Sequence, residues 1–279
     1  MSKIIKRCWR IVLLIHLFLI FFMVVTTVKV QPFQEKQLEI TYIANAGFLI
    51  EYKSKKILID ALHSWPNFQS TPDEVFNDMR NSRPPFNNID LVLVTHRHPD
   101  HFHPDMVELF LINNPNAMMI ASPIDVEFLR IASDPQFGRI AKQVKIVDAK
   151  IGDVIELSVN GIDLQIFALE HNGRQTMLNL GFLIKIGDKT LLHEGDANIS
   201  NEYFQSANFE LEYIDILFEN DYFRKDRERQ KIIRDHIKPK HRIAMHIKPE
   251  FLEDYSKEIK KKFPDEIIFK KPMEKRVFK

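Results

Sequence analysis

Residues 91–105, LVLVTHRHPDHFHPD, place four histidines and two aspartates directly behind four consecutive apolar residues. The apolar run predicts a strand that is covered on both faces, so Thr95 and His96 fall at its carboxyl end, where ligand sites of layered α/β folds lie. His96 and His98 can point to the same side, because residues two apart on an extended segment do so. The chain then turns at Pro99. We predict a metal site with ligands for two ions here, because a solvated polar turn rarely holds four imidazoles in eight residues.

Any metal in this chain must be held by nitrogen and oxygen ligands. The single cysteine, Cys8, can form neither an intramolecular disulfide nor a thiolate cage. With 279 residues, 45% of them hydrophobic and only 8 of them glycine, the composition is that of a folded globular protein.

The first thirty residues differ from the rest of the chain. An apolar run covers residues 11–28, interrupted only by His16 and two threonines, and approaches the ~18 to 20 residues that span a bilayer. Four basic residues precede the run: Lys3, Lys6, Arg7 and Arg10. We therefore predict a signal peptide or membrane anchor in residues 1–30, with the amino terminus in the cytoplasm. The rest is then exported, either as an external membrane-anchored domain or as a secreted or periplasmic protein; a buried helix is the remaining alternative.

The remainder of the chain is mildly acidic. Residues 1–30 hold five basic and no acidic residues, so the formal net charge of +1 becomes −4 without them. This charge argues against a nucleic-acid partner. Residues 224–242 form a local basic stretch, but acidic residues are interleaved with the basic ones and Pro239 follows. We predict a helix with a solvated, charged face in this stretch.

From residue 38 onward the pattern predicts strands with helices between them. Residues 38–44, 47–53 and 55–61 are β-rich and are separated by short turns, which favours an antiparallel meander. The pairs Asn160-Gly161 and Gly187-Asp188 each join two alternating apolar segments and predict hairpins.

Two positions have the pattern of helix caps. Thr71 and Ser122 are each followed by a proline and, three residues on, by an acidic residue. Two short buried strands, residues 214–220 and 242–247, flank the basic helix. Because no repeat, linker or low-complexity tract interrupts residues 38–279, we predict one α/β domain there.

The segment THRHPDH, residues 95–101, matches the HxHxDH signature of the metallo-β-lactamase superfamily of metal-dependent hydrolases. Three later segments, ALEHNG, HEGDAN and AMHI, follow or end apolar strands in the order in which that family supplies further ligands. The resemblance covers residues 38–250 and is strongest to the branch that contains L-ascorbate-6-phosphate lactonase. It implies a four-layer αββα sandwich and a hydrolase domain over residues 38–279, behind the N-terminal hydrophobic segment.

The resemblance also implies the roles of the site residues. It assigns three ligands to the first ion, His96, His98 and His171, and three to the second, Asp100, His101 and His246. Asp196 bridges the ions. Asp100 and Asp196 are the implied catalytic residues, with Asp100 acting either as a ligand or as a proton acceptor. Asp60, at the end of the early strand ILIDA, is implied as a hydrogen-bonding support for the metal loop.

Two divalent ions ~3.5 to 4 Å apart share a water whose pKa falls toward ~7, and the bridging hydroxide becomes the nucleophile. The expected function is hydrolysis of an ester, lactone or phosphodiester bond in a small-molecule or lipid-like substrate. Zinc is the expected metal, with manganese and iron as alternatives. The membrane is a further partner if residues 11–28 are retained. An iron-dependent redox enzyme with persulfide or oxygen chemistry and a non-catalytic binding protein stay open as other classes.

Other polar residues fall close to these segments. His103 and His193 are predicted to support the ligands rather than to bind metal. Three residues that follow a buried strand are predicted to contact substrate: Asn220, Asp221 and Tyr222. His63 is expected to be a loop residue without a function, and His236 and His241 are expected on the surface.

Overall fold

Two mixed sheets of seven strands each pack face to face in the computed structural model of the protein. The structure describes residues 37–172, 174–197, 213–221 and 226–279. The segment predicted as a signal peptide or anchor, residues 1–30, and the predicted substrate contact Tyr222 lie outside these ranges. Within them, none of the helices combines the length and the apolar character that crossing a membrane requires.

The first sheet has the order β14-β1-β2-β3-β4-β5-β6. Its strands are β1 (Leu38–Ala44), β2 (Gly47–Tyr52), β3 (Lys55–Ile59), β4 (Leu91–Leu93), β5 (Met118–Ala121), β6 (Val144–Ile146) and β14 (Lys275–Phe278). The predicted antiparallel meander is confirmed in β1 to β3, and β3 to β6 are parallel. All three residues of β4 are buried, as a strand that is covered on both faces must be.

The second sheet has the order β13-β12-β11-β10-β9-β8-β7. Its strands are β7 (Val154–Val159), β8 (Ile162–His171), β9 (Arg174–Ile186), β10 (Lys189–His193), β11 (Ile216–Asn220), β12 (His241–Met245) and β13 (Ile267–Ile268). Both predicted hairpins are confirmed, with Val159 opposite Ile162 and Ile186 opposite Lys189. Strands β10 to β13 are parallel, so their carboxyl ends meet at one edge.

The outer faces of both sheets are covered by helices. The α-helices among the described residues are α1 (Asp73–Arg80), α2 (Pro104–Asn113), α3 (Pro123–Ala132), α4 (Phe137–Ile140), α5 (Arg227–Ile232) and α6 (Leu252–Lys262). Short 3₁₀ turns lie at Ala141–Gln143 and Pro249–Phe251, and a π-helical turn covers Ile233–Ile237. Apolar side chains of α1 to α3 pack on the first sheet, and those of α5 and the π-helical turn pack on the second.

The central layer is the apolar contact between the two sheets. Phe48 of β2 and Phe218 of β11 lie with ring centroids 4.6 Å apart, and both are completely buried. Together with the outer helices, this contact confirms the predicted αββα sandwich. Burial of such aromatic side chains between the sheets removes a large apolar area from water and so stabilises the sandwich.

One of the two predicted helix caps is confirmed. Ser122 forms a complete capping box with Asp125 at the start of α3. The prediction for Thr71 was wrong: α1 begins after Pro72 without a side-chain cap, and the Thr71 hydroxyl instead donates to the Ala61 carbonyl at 2.8 Å. The hydroxyl closes the loop that follows β3, which is a tertiary contact that the local pattern does not encode.

The solvated helix predicted in the basic stretch also needs correction. The stretch is helical over Arg227–Ile237 and ends before Pro239, as expected. However, Arg229 is only 2% exposed and forms an ion pair inside the protein. The charge pattern could not reveal this, because the partner carboxylate is that of Glu194, which follows β10 and is distant in the sequence.

A close approach of two backbone segments places the end of β3 beside the start of β2. A Cβ atom at Gly47 would lie 2.5 Å from the Asp60 carbonyl oxygen and 2.9 Å from the Ala61 Cα, and neither backbone atom can move aside cheaply. The absence of a side chain at Gly47 therefore lets the chain around Asp60 reach the edge where β4 ends.

We predict that Gly47→Ala lowers the free energy of unfolding by about 1–3 kcal/mol, the typical cost of overpacking. The matched control is Gly138→Ala, because a Cβ there meets nothing within 4 Å and the residue lies in α4. Urea denaturation of both variants measures the difference. Equal midpoints for the two variants would show that the backbone contact at Gly47 is not a constraint.

Candidate metal centre

The loop after β4 folds back on itself and gathers its own histidines. The His98 carbonyl accepts the main-chain N–H groups of His101 and Phe102, both at 2.9 Å. This turn returns His101 to His96, with ring centroids 4.1 Å apart. This one loop therefore supplies four of the candidate ligands, His96, His98, Asp100 and His101, and other strands supply the rest.

A first ligand cluster lies on one side of the loop. The ligand atoms of four residues lie within 4.8 Å of one another: His96, His98, His171 and Asp196. His171 comes from the end of β8, and its ring centroid is 4.5 Å from that of His98. The second sheet thus completes a cluster that the loop begins.

A second ligand cluster lies on the other side and consists of Asp100, His101 and His246. The Nε2 atom of His246 is 3.0 Å from Asp100 Oδ2, and that of His101 is 3.8 Å from the same oxygen. His246 follows β12 in the left-handed region, at φ 62°, where residues other than glycine are strained. Its main-chain N–H donates to the Asn45 carbonyl at 3.2 Å, which helps to hold this conformation.

The carboxylate of Asp196 reaches both clusters. Its Oδ1 is 3.3 Å from His101 Nε2, and its Oδ2 is 3.3 Å from His246 Nε2 and 3.6 Å from His171 Nε2. One side chain therefore faces ligands of each group, as a bridging ligand must.

The electrostatics of the site favour positive charge between the ligands. Burial opposes ionisation of Asp196, yet the charges of His246 and His101 hold its pKa well below the usual value. Burial opposes protonation of His101, yet Asp196 and Asp60 raise its pKa well above the usual value. Burial and the charge of His101 lower the pKa of His96 well below its usual value, so that ring is neutral. Ionised carboxylates beside the neutral ring of His96 offer lone pairs of the kind that divalent transition metals prefer.

Buried nitrogen atoms also fit a metal. Among the described residues, the Nε2 atoms of His101 and His171 find no hydrogen-bond partner although both are buried. Leaving such an atom unsatisfied costs about 1–3 kcal/mol. A divalent ion that accepts their lone pairs removes this cost, so the residues present fit the implied metals.

Asp60, which follows β3, holds the loop after β4 through three hydrogen bonds. Its carboxylate accepts the Thr95 main-chain N–H at 2.9 Å, the Thr95 hydroxyl at 2.7 Å and His101 Nδ1 at 2.8 Å. Because an ionised carboxylate can only accept, His101 Nδ1 donates its proton to Asp60, and Nε2 is the ring nitrogen that faces the other candidate ligands. The sequence resemblance implied this kind of support for Asp60.

His193, His103 and His63 lie near the site but in neither cluster. His193 is buried; its Nε2 contacts the Ala46 carbonyl at 2.9 Å, and its Nδ1 accepts the Gly195 N–H at 3.2 Å. His103 precedes α2, and its main-chain N–H donates to the Leu62 carbonyl. His63 is completely buried, and burial with the charge of His101 lowers its pKa to about 4.

The two histidines expected on the surface lie in the π-helical turn and at the start of β12. His236 and His241 are partly buried, and His241 packs on Phe278 with ring centroids 5.2 Å apart. Neither residue belongs to a ligand cluster among the described residues.

Asn220 does not have the position predicted for a substrate contact. It is completely buried, and its Nδ2 donates to Asp196 Oδ1 at 2.6 Å. It therefore orients a candidate ligand instead of facing outward. Asp221 is partly exposed one residue further along, while Tyr222 is outside the described residues.

Two further asparagines orient the ligands and were missed in the sequence. Asn45 donates to the Asp100 carbonyl at 3.0 Å and to Asp100 Oδ2 at 3.3 Å. Asn179 accepts the Asp196 N–H at 2.9 Å and donates to the Glu194 carbonyl at 2.8 Å. The available signal for Asn179 was its position as a polar residue within the apolar strand segment MLNLGFLI.

Comparisons with known proteins agree with this geometry. Residues 39–246 match the model of the Beta-lactamase superfamily domain. A UPF0173 metal-dependent hydrolase from Aeropyrum pernix is 25% identical over 165 residues, which are 58% of this chain and 62% of that protein. The chain thus matches about three fifths of the length of this curated relative.

Two solved structures show the same fold. A metallo hydrolase from the hyperthermophilic archaeon Ignicoccus hospitalis has a TM-score of 0.57 at 19% identity, with 87% of this chain and 99% of that chain covered. CmlA, a diiron beta-hydroxylase from Streptomyces venezuelae, has a TM-score of 0.55 at 15% identity, with 89% of this chain and 55% of that chain covered. At these identities the likeness concerns the fold alone.

We predict that Asp60→Asn weakens metal binding about 10- to 100-fold, as loss of a partner behind a metal-binding histidine does. An amide cannot accept all three donors that converge on Asp60, so His101 loses its orientation. Competition with a chromophoric zinc chelator measures the affinity.

The matched control for this prediction is Asp90→Asn. Asp90 precedes the other end of β4 and likewise accepts a main-chain N–H, that of Lys56 at 3.0 Å, but it lies away from the ligands. Unchanged zinc affinity in folded Asp60→Asn, or an equal loss in both variants, would contradict the role of Asp60.

Proposed function

The chain belongs to the metallo-β-lactamase superfamily, and we propose that it is a two-metal hydrolase of an ester, lactone or phosphodiester bond. The observation that carries this proposal is the pair of ligand clusters that share the carboxylate of Asp196. A single cluster would suit one ion, whereas a shared carboxylate between two clusters suits a binuclear site.

The residues would divide between the two ions by cluster. His96, His98 and His171 would hold the first ion, Asp100, His101 and His246 the second, and Asp196 both. When bound, divalent ions supply Lewis acidity and a nucleophilic water whose pKa falls toward ~7. We expect zinc, with manganese or iron as alternatives, because the donor set contains imidazole and carboxylate but no thiolate.

The environment of Asp100 favours a role as ligand over a role as proton acceptor. Burial raises the pKa of this carboxyl, but the hydrogen bond with His246 and the charge of His101 outweigh burial and lower the pKa to about 2. A general base works best when its pKa lies near the operating pH. A carboxylate this acidic is a weak base at neutral pH and a good ligand.

The wall beside the second cluster suggests the kind of substrate. The ring of Phe68 packs on His246 with centroids 4.5 Å apart. Lys248 lies over Phe68, with Nζ 5.6 Å from the ring centroid, two residues beyond His246. The loop that carries Phe68 is tied at its ends by the Thr71 N–H, which donates to the His63 carbonyl. We propose that an apolar part of the substrate contacts Phe68 while Lys248 attracts a negative group.

An iron-dependent redox enzyme is the second candidate function. Imidazole and carboxylate ligands also suit iron, and the fold is shared with a diiron beta-hydroxylase. The two functions differ in their requirement for a metal that changes oxidation state, because zinc has no accessible redox change.

We predict that the full chain binds close to two equivalents of metal and that zinc restores hydrolysis to the metal-free protein without oxygen. His96→Ala and Asp196→Ala should each lower metal content and abolish turnover, because both remove a ligand. Elemental analysis and an anaerobic panel of esters, lactones and phosphodiesters measure these outcomes.

The matched control for the ligand variants is His241→Ala. His241 begins β12, while His246 follows its other end, and His241 packs on Phe278 outside both clusters. This variant should keep its metal and its activity. Activity that needs iron and oxygen and is absent with zinc would decide for the redox function.

We predict that Lys248→Ala raises KM about 1.4- to 5-fold for an anionic substrate, which corresponds to the ~0.2–1 kcal/mol of an exposed charge pair. A neutral substrate with the same scissile bond should be unaffected, and Lys248→Glu should have a larger effect on the anionic one.

Lys257→Ala is the control for Lys248, since its side chain is 68% exposed on α6 and pairs with Glu253. Metal content should be the same in all these variants. An equal change in KM for the charged and neutral substrates would refute charge recognition by Lys248.

A further inference from the structure

A buried ion pair lies directly behind the bridging aspartate. Glu194 and Arg229 have side chains that are only 1% and 2% exposed, and the Arg229 guanidinium donates to Glu194 Oε1. Burial and the charge of Arg242 lower the pKa of Arg229 to about 9, so the guanidinium is still protonated at neutral pH. Arg229 therefore presents a cation to the carboxyl group of Glu194.

The ion pair is connected to Asp196 through Asn220. The same Glu194 Oε1 accepts the main-chain N–H of Asn220 at 3.1 Å. The side chain of Asn220 then donates to Asp196 Oδ1 at 2.6 Å and to the Gly195 carbonyl at 3.4 Å. Arg229 on α5 is thus linked to one oxygen of the bridging carboxylate through two intervening residues.

The main chain of this turn is held by other groups. Asn179 accepts the Asp196 N–H and donates to the Glu194 carbonyl, while His193 accepts the Gly195 N–H. These contacts place the backbone of Asp196 but do not set the rotation of its carboxylate. Asn220 donates to Oδ1 of the carboxylate, the oxygen that also faces His101, so its position helps to set how the two oxygens face the two clusters.

We propose that Glu194 and Arg229 are positioning residues that orient the Asp196 carboxylate toward both ligand clusters by way of Asn220. This inference rests on the proposed two-metal function. A role in stability alone explains the pair poorly, because apolar residues of similar volume often replace buried ion pairs at no cost. Second partners behind metal ligands, by contrast, commonly change metal affinity 10- to 100-fold.

A second ion pair in the same sheet is a natural control. Glu219, one residue before Asn220 on β11, accepts the Arg242 guanidinium and Gln230 Nε2. Neighbouring residues of a strand point to opposite faces, so Glu219 is directed away from the face that Asn220 uses. Removal of this pair should disturb the sheet to a similar extent without moving Asp196.

The test compares two double variants of the full chain, Glu194→Gln with Arg229→Met and Glu219→Gln with Arg242→Met. Removing both partners avoids an unpaired buried charge, which would threaten folding. We expect the first double variant to bind zinc at least 10-fold more weakly and to alter the visible spectrum of the cobalt-substituted protein, while the second stays within two-fold of wild type. Zinc affinity is measured by chelator competition, and folding by circular dichroism.

A cycle with Asn220→Ala supplies a second measurement. If the ion pair acts through Asn220, then the double change Glu194→Gln with Arg229→Met should weaken zinc binding little further once Asn220→Ala is present. Fully additive losses would overturn the proposal, as would equal zinc affinities of the two double variants. The conservative Arg229→Lys, which keeps the charge, should lose less zinc affinity than the double variant Glu194→Gln with Arg229→Met.

The outcomes also separate this inference from the proposed function. Tight zinc binding by wild type with no hydrolytic activity would reject the hydrolase while the affinity comparison still decides the role of Arg229. Wild-type protein that binds no metal would overturn both proposals.

Discussion

The carboxylate of Asp196 lies where two clusters of histidines meet, and the direction of its two oxygens constrains the rest of the site. An ionised carboxylate that is almost completely buried needs compensating positive charge. The neighbouring imidazoles and a bound cation can supply that charge only if they approach both oxygens. This requirement brings ligands from the β4 loop, from the end of β8 and from the end of β12 to one edge of the sandwich.

Amide side chains fix the ligands at this edge. Asn45 contacts Asp100, Asn179 holds the main chain of Asp196, and Asn220 contacts its carboxylate. An amide both donates and accepts, so it can satisfy a ligand and the surrounding backbone together. The Asp60 carboxylate, at the end of β3 in the first sheet, also holds His101, and it does so as the acceptor of three donors. The candidate ligands are therefore held by both sheets, and the contact between the sheets brings the loop after β4 to the ends of β8 and β12.

Two cations near this edge, Arg229 and Lys248, differ in how deeply they are buried. Most charged side chains of the basic helix are exposed, yet Arg229 points inward to Glu194. Glu194 lies two residues before the candidate ligand Asp196. Burial of a guanidinium is expensive, and the cost is offset only by a partner of matching geometry. Lys248 remains partly exposed beside Phe68, where a charge can attract substrate without a large desolvation cost. The buried Arg229 thus suits a role in positioning, whereas the partly exposed Lys248 suits contact with a substrate.

Much of this protein could be predicted from the sequence, because the signals concerned are local. The meander, both hairpins and the capping box at Ser122 depend on residues a few positions apart, and the HxHxDH turn places its ligands within one loop. Other features depended on contacts between distant segments. Thr71 closes a loop instead of capping a helix, Arg229 forms a buried ion pair with the distant Glu194, and Asn220 faces a candidate ligand rather than solvent. The sequence by itself determined which residues could bind metal, since the chemistry of imidazole and carboxylate groups does not depend on the fold. Only the tertiary structure decided which polar residues orient those ligands, because a hydrogen bond is set by distances and angles that arise when the two sheets pack together.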